Sequence, residues 1–255
     1  MRSPAWLVEL AAALLGSAAI VAECGSCGGG GSSHGAASDG GGGGSGAGSG
    51  ATCSAAPADE SGNGTYYNAD GTGACSFDAS TDYMVAAMNE TDYGTAAWCG
   101  ACLAVTGPMG TITIRVVDEC PGCAKGGLDL SETAFGMLAP LAQGVIPITW
   151  HEVPCAVTGP IQYEFQSGTS QYYAAIQIRN ATYPIATVEA KQGSGYTPLA
   201  KQSYNYYVAS SGLGPGPYDL RVTDARGEVV EDTGVALLGS GGESGSGQFA
   251  VCSGD

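Results

Sequence analysis

Between Thr111 and Val117 the chain reads Thr-Ile-Thr-Ile-Arg-Val-Val, a near-alternation of apolar and polar positions with many β-branched side chains. That period of two predicts a half-buried strand, and Val145–Trp150 repeats the pattern around Pro147. Two short helices are predicted beside these strands. One covers roughly Asp82 to Met88; the other opens at Ser131 as N-cap and carries Phe135, Leu138 and Leu141 inward. From Thr158 onward the pattern changes to short apolar runs punctuated by Gly, Pro and Ser. Ile161–Phe165, Tyr173–Arg179, Ile185–Glu189, Tyr206–Ala209, Leu220–Thr223 and Val229–Thr233 are the strand candidates, and their spacing suits a small sandwich.

The ends and boundaries follow from composition. Arg2 precedes an apolar run from Trp6 to Ala22 that is short for a membrane span, so residues 1–23 read as a signal peptide. A lipid anchor at Cys24 is the competing reading; the large, charged Glu23 argues against it. Gly25 to Gly50 holds 14 Gly in 26 residues, and 24–57 reads as a disordered Gly/Ser linker with nothing to bury. A first domain is expected over 58–157 and a second over 158–253, with the turn signal Thr158-Gly159-Pro160 between them.

Charge and cysteines narrow the function. The 255 residues carry 24 acidic and 8 basic side chains, a formal charge of −16, which excludes the clustered Lys and Arg that nucleic acid requires. Ten Cys in a chain with an export signal favour disulfides. Cys99-Gly100-Ala101-Cys102 and Cys120-Pro121-Gly122-Cys123 are each a redox centre, half a zinc site or a plain disulfide, and in an exported chain the disulfide is the default. No cofactor and no metal is called for.

Chemistry concentrates in Val117–Ser131. This segment leaves a strand and enters a capped helix, delivering Asp118 at a strand end and Asp129 just before a helix. The plain alternative is that both carboxylates hydrogen-bond loop amides. Tyrosine supplies the second signal. Thirteen Tyr accompany four Phe and three Trp, and Tyr172-Tyr173, Tyr196, Tyr204, Tyr206 and Tyr207 cluster in the second domain. Exposed rings grip neutral polysaccharide by stacking on pyranose C–H faces, although about half of these tyrosines are expected in the core. Tyr172 and Tyr173 share a surface only if the backbone there is irregular, which Gly168-Thr169-Ser170 permits.

Together, Gly64-Thr65-Tyr66-Tyr67, Gly73-Ala74-Cys75, Cys99-Gly100-Ala101-Cys102, Val117-Asp118-Glu119-Cys120-Pro121, Leu128–Phe135 and Pro147–Trp150 resemble the first domain of expansins. Tyr172–Asn180, Tyr204–Val208 and Leu220–Gly227 resemble their second domain, in the same order. The resemblance implies a mainly β protein: a six-stranded double-psi β-barrel followed by an immunoglobulin-like, carbohydrate-binding β-sandwich. It implies a secreted, monomeric protein that binds cellulose and other plant cell-wall glucans and loosens the wall without hydrolysis, not an enzyme. By residue, it assigns the essential aspartate to Asp129, with Asp118, Thr65 and Tyr67 completing the barrel site. The aromatic platform falls on Tyr172, Tyr173 and Tyr204, two of which stand where Trp is usual. It implies the disulfides Cys75–Cys99 and Cys102–Cys155, leaving Cys120–Cys123 as a tight loop and Cys53–Cys252 to bracket both domains.

Two enzymes share such a barrel. A family-45-like endoglucanase inverts its sugar with an acid and a base about 6.5–9.5 Å apart. Asp129 matches the acid, but Ala69 occupies the base position and Asp70 comes one residue late. A peptidoglycan lytic transglycosylase needs no water nucleophile, but the tyrosine-bearing second domain argues against it. Charge adds a qualification. Residues 60–157 carry 11 acidic against 2 basic side chains and 158–255 carry 9 against 5, so acidic wall polysaccharide should be repelled.

Overall fold

The structure, a computed structural model, describes residues 53–253. The signal segment, Cys24 and most of the Gly-rich linker lie outside the described residues.

Six strands close a barrel: β1 (Glu60–Tyr67), β2 (Val85–Asn89), β3 (Cys102–Gly107), β4 (Gly110–Cys120), β5 (Leu128–Ser131) and β6 (Ile146–Val153), in the order β1-β5-β2-β4-β3-β6. Two pairs, β1/β5 and β2/β4, run parallel and the others antiparallel. β4 and β6 realise their alternation. Ile112, Ile114 and Val116 of β4 and Ile146, Ile148 and Trp150 of β6 fill the barrel with Leu103, Leu128, Leu130 and Phe135. Pro147 lies beyond the stretch of β6 that pairs β3, so only one neighbouring strand is present there.

The helix expected over Asp82 to Met88 is not formed. That segment supplies β2, whose five residues are all buried between β4 and β5. Ala86 and Met88 face the barrel core, while Val85 packs outside it with Ala69 and Val117. A strand covered on both faces is continuously apolar, and periodicity alone does not separate it from a buried helix. Helix α1 (Glu90–Tyr93) follows as a single turn, with Asn89 accepting from the Asp92 N–H. Helix α2 (Glu132–Leu138) begins at its Ser131 cap, whose hydroxyl accepts from the Ala134 N–H at 3.0 Å. Phe135 and Leu138 are fully buried, and the Phe135 ring lies 4.9 Å from that of Tyr66. Leu141, expected inward, is 39% exposed: α2 ends before Pro140, and Leu141 starts a separate 3-10 turn.

The second half packs two sheets. One has the order β10-β9-β13-β14, built from β9 (Ile185–Gln192), β10 (Gly195–Pro198), β13 (Tyr218–Asp224) and β14 (Val229–Val235). The other has the order β11-β12-β8-β7-β15, from β7 (Gln162–Phe165), β8 (Ala174–Arg179), β11 (Ala200–Lys201), β12 (Tyr207–Ala209) and β15 (Gly241–Ser244). Between them lie Tyr163, Phe165, Ile176, Ile178, Val188, Leu220 and Val222. Strands β10, β11 and β15 are only two to four residues long, and the sequence pattern does not mark them. This chain is therefore mainly β, a six-stranded double-psi barrel followed by a sandwich.

Polar contacts fasten the barrel to the sandwich. The Glu152 carboxylate of β6 accepts from Arg226 Nη1 at 3.3 Å, with both side chains at most 4% exposed. The Tyr93 hydroxyl donates to the Ser203 carbonyl at 2.7 Å. Four disulfides are present among the described residues: Cys75–Cys99, Cys102–Cys155, Cys120–Cys123 and Cys53–Cys252. The last spans 199 positions and joins the two ends of the described chain. Beside it the Ser54 N–H donates to the Arg226 carbonyl at 2.7 Å. Among the described residues no helix is long and apolar enough to cross a membrane.

Candidate glycan-binding site

Asp129 sits on β5 in direct parallel register with Thr65 on β1. The Thr65 hydroxyl donates to Asp129 Oδ1 at 2.5 Å, so one carboxylate oxygen is held by the neighbouring strand. Close backbone packing brings β5 to that place. Gly126, with φ +74°, lies against Ser61 of β1, and a Cβ at Gly62 or Gly126 would overlap the opposing backbone. The Trp150 indole N–H donates to the Gly126 carbonyl at 2.8 Å, and Asp92 accepts from the Gly126 N–H at 3.0 Å.

Asp118 has a different setting. Its Oδ1 accepts from the Ala74 N–H at 2.6 Å and from the Glu119 N–H at 2.8 Å. A Cβ at Gly73 would overlap the Asp118 side chain, so this carboxylate fills the space above the loop. Tyr67 completes the group. Its hydroxyl is buried without a hydrogen-bond partner, and burial, followed by the negative fields of Asp118, Asp129 and Asp70, raises its proton affinity far above that of an ordinary phenol. A neutral phenol is thus lodged beside two carboxylates with its donor unused.

Ala69 is buried and apolar, packed with Val85 and Val117. Asp70 is exposed and turned onto its own loop, where Oδ1 accepts from the Thr72 N–H at 3.0 Å and the Thr72 hydroxyl at 2.5 Å. Those bonds lower its pKa. Among the described residues no cluster of three His, Cys, Asp or Glu side chains could hold a metal ion.

On the sandwich, Ser170 and Tyr173 exchange backbone hydrogen bonds across a two-residue turn. This is the irregularity that frees Tyr172 and Tyr173 from strand alternation. Tyr172 projects from the turn at 74% exposure, while Tyr173 is half-buried. Gly212, with φ +74°, lets the neighbouring loop press against Gln171 and Tyr172. Burial raises the Tyr204 phenol, helped by the Tyr173 hydroxyl to which it is hydrogen-bonded, while its ring lies 5.9 Å from that of Tyr206. No ring contact joins Tyr172 to Tyr173 or Tyr204 among the described residues; it lines a neighbouring pocket with Pro215 and Leu237. Tyr206 and Tyr207 belong to the core, Tyr207 donating to the Ile185 carbonyl at 2.6 Å. Tyr196 lies on the other sheet with the Arg221 guanidinium 4.1 Å from its ring centre.

A three-residue segment connects the two sites. Ala74 gives its N–H to Asp118, while the next carbonyl, of Cys75, accepts from Gln177 Nε2 at 2.9 Å and Asn205 Nδ2 at 3.3 Å. Asn205 stands at φ +63° between Tyr204 and Tyr206, so the turn that presents Tyr204 is pinned to the loop that holds Asp118. Sequence reasoning missed Gln177 and Asn205. The only local signal was an Asn flanked by tyrosines, and its partner lies 130 positions away.

A family model described as "Lytic transglycolase" matches residues 59–150, the barrel. Expansin-YoaJ of Bacillus subtilis is 39% identical over 165 residues, covering 63% of this chain and 71% of that protein. The chain belongs to the expansin family. Expansin-like protein 1 of Dictyostelium discoideum is 30% identical over 181 residues, covering 65% of this chain and 63% of its own length. An expansin of Clavibacter michiganensis, 33% identical, superposes with a TM-score of 0.71 over 76% of this chain and 98% of the crystallised one. A mutant of that expansin has been crystallised in complex with cellohexaose.

Proposed function

We propose that this protein binds cellulose and related plant cell-wall glucans and loosens their noncovalent contacts without hydrolysing them. One observation carries the non-hydrolytic reading: Asp129 is held by Thr65, yet the position for a water-activating base is the buried, apolar Ala69, and Asp70 is committed to Thr72. Inversion at a sugar needs both an acid and a base. Asp118, the remaining carboxylate, is engaged by two backbone amides and acts as a positioning residue for the Gly73–Cys75 loop.

Asp129 is then the glycan contact of the barrel, accepting a sugar hydroxyl, with Tyr67 as a neutral donor beside it. Tyr172, Tyr173 and Tyr204 stack on the glucan, and the pinned Cys75 carbonyl keeps the two surfaces in fixed register. The cellohexaose complex of the Clavibacter relative supports a β-1,4-glucan ligand. Secretion accords with four disulfides, which persist in oxidising compartments. The protein acts as a monomer.

The deciding experiment reads two quantities on one sample of cellulose paper: mechanical weakening and reducing ends. Wild type should weaken the paper with reducing ends at background, and Asp129→Asn should lose the weakening. Steady release of oligosaccharides by wild type, lost in Asp129→Asn, would make the protein a hydrolase or lyase and end this reading.

A further inference from the structure

Among the described residues Arg115 is the one lysine or arginine side chain without a hydrogen-bond acceptor. Among the described residues Lys125, Arg179, Lys191, Arg221 and Arg226 each pair with a carboxylate, and Lys201 donates to the Ile185 carbonyl. The Arg115 guanidinium lies over the face of Phe77, 4.1 Å from the ring centre, and beside Gly100. In a chain with a threefold excess of acidic over basic side chains, an unanswered guanidinium is unusual.

Its position explains what it faces. Ile114 and Val116, on either side along β4, point into the barrel, so Arg115 points out of it, toward the sandwich. There it lines a pocket of about 520 Å³ formed by barrel residues, the segment around Val157, and Arg179 and Asn180 of the sandwich. The other charges of the pocket have contacts of their own. Asp78 is paired with Arg179 at 2.5 Å, and Asp82 accepts from the Met84 N–H at 3.0 Å. Burial and the neighbouring Arg179 lower the Arg115 pKa, and the Asp82 carboxylate, which forms no ion pair with it, partly offsets them. Phe77, Met84 and Val157 give the pocket apolar wall, and its volume lies within the range of small-molecule sites.

We propose that this pocket binds a uronic acid residue, with the Arg115 guanidinium forking onto its carboxylate and the sugar ring seated against Met84, Phe77 and Val157. A planar guanidinium matches a carboxylate with two parallel hydrogen bonds, which a lysine does not offer. The choice of a sugar, rather than another small carboxylate, rests on the glycan-binding function proposed above. The pocket shares no lining residue with the tyrosine turn or with Asp118 and Asp129. It is a second, chemically distinct glycan contact. The negative net charge repels a polyanion at a distance; a single uronate branch on a neutral chain escapes most of that repulsion and meets one local cation.

The test is an NMR titration of the whole ¹⁵N-labelled protein, following the Arg115 Nε–H resonance. Glucuronate should shift it saturably, whereas glucose and the neutral glucuronamide should leave it in place. Acetate and sulfate should act at least tenfold more weakly than glucuronate. Arg115→Met, which keeps the apolar stem, should weaken glucuronate binding tenfold or more while cellulose pull-down stays at the wild-type level. Tyr172→Ala should do the reverse, so failure of the cellulose reading and failure of this one are told apart. Absence of a saturable shift in wild type overturns the proposal, and so does equal binding of glucuronamide. Equal binding of acetate or sulfate reduces the pocket to a general anion site and overturns the sugar assignment. The glucuronamide comparison uses wild type alone, so it decides the matter even where Arg115→Met fails to fold.

Discussion

Asp118 and Asp129 flank one residue: Ala87 of β2 is in register with Asp118 on parallel β4 and with Asp129 on antiparallel β5. Adjacent strands lie about 4.8 Å apart, so the two aspartate backbones are separated by roughly 10 Å across the barrel wall. Ala86 faces Val116 and Ala87 faces Asp118, so β4 skips Val117 in this ladder. That bulge re-aims Asp118 toward the Gly73–Cys75 loop. The spacing of the pair is thus set by strand register, with a loop amide holding one member and a strand hydroxyl the other.

Thr65→Val should remove the hydroxyl from Asp129 while keeping the shape of the side chain. A hydrogen bond to a charged group contributes about 1.5–3 kcal/mol, part of which water restores at this half-buried site. The expected outcome is a loss of about 1–2 kcal/mol in chemical denaturation and severalfold weaker action on cellulose paper. Thr65→Ser should retain both. Equal activity in the valine and serine variants would show that the Thr65 hydroxyl does not serve Asp129.

Truncating both turn tyrosines, Tyr172→Ala with Tyr173→Ala, should weaken cellulose binding by about 1–3 kcal/mol, the range for loss of an aromatic stacking face. Replacing both by Trp should strengthen it, because the larger ring buries more of the pyranose face. Depletion assays on crystalline cellulose measure the order. A folded double alanine variant that binds like wild type removes these residues from the site.

Arg226→Met leaves the Glu152 carboxylate buried against the sandwich without its guanidinium. Breaking one side of a buried pair costs about 3–5 kcal/mol, more than most surface pairs contribute. Adding Glu152→Met to the same variant should recover a large part of that loss, because the stranded charge goes with it. Denaturant midpoints of the two single variants and the double variant close the cycle.

Lys201 titrates unusually low, its pKa pushed down from 10.5 to about 8 by burial. The unfolded chain therefore binds more protons than the folded one between about pH 8 and 10.5, and stability rises with pH across that window. Below pH 8 the folded protein carries the full cost of a buried ammonium. Lys201→Met should accordingly be the more stable protein at pH 7, by about 1–3 kcal/mol, with the gap closing by pH 10.5. Unfolding free energies of the pair at pH 7, 9 and 10.5 measure it, and a gap that stays constant would mean that Lys201 titrates normally.

What the sequence determined by itself is what acts over a few positions. The Ser131 cap depends on an N–H three residues away, and the alternation of Thr111–Val117 depends on which neighbours point together; both were legible. The irregular backbone that frees Tyr172 and Tyr173 was legible for the same reason, from Gly168 and Ser170 beside it. Only the tertiary structure decided the rest. Asp82–Met88 reads as a helix along the chain, but Val85–Asn89 forms a strand because β4 and β5 pair with its two edges while the barrel core and the Ala69–Val117 cluster cover its faces. Tyr206 and Tyr207 look like their neighbour Tyr204, yet Tyr207 is buried between the two sheets and Tyr206 is buried beside Arg179, Glu164 and Asp78. The Ala74 amide meets Asp118 across 44 positions and the Cys75 carbonyl meets Asn205 across 130, contacts that exist because the barrel closes and the sandwich docks against it. Arg115 shows the same limit from the other side. Its lack of a carboxylate is a property of everything packed around it, and no local pattern along the chain encodes that.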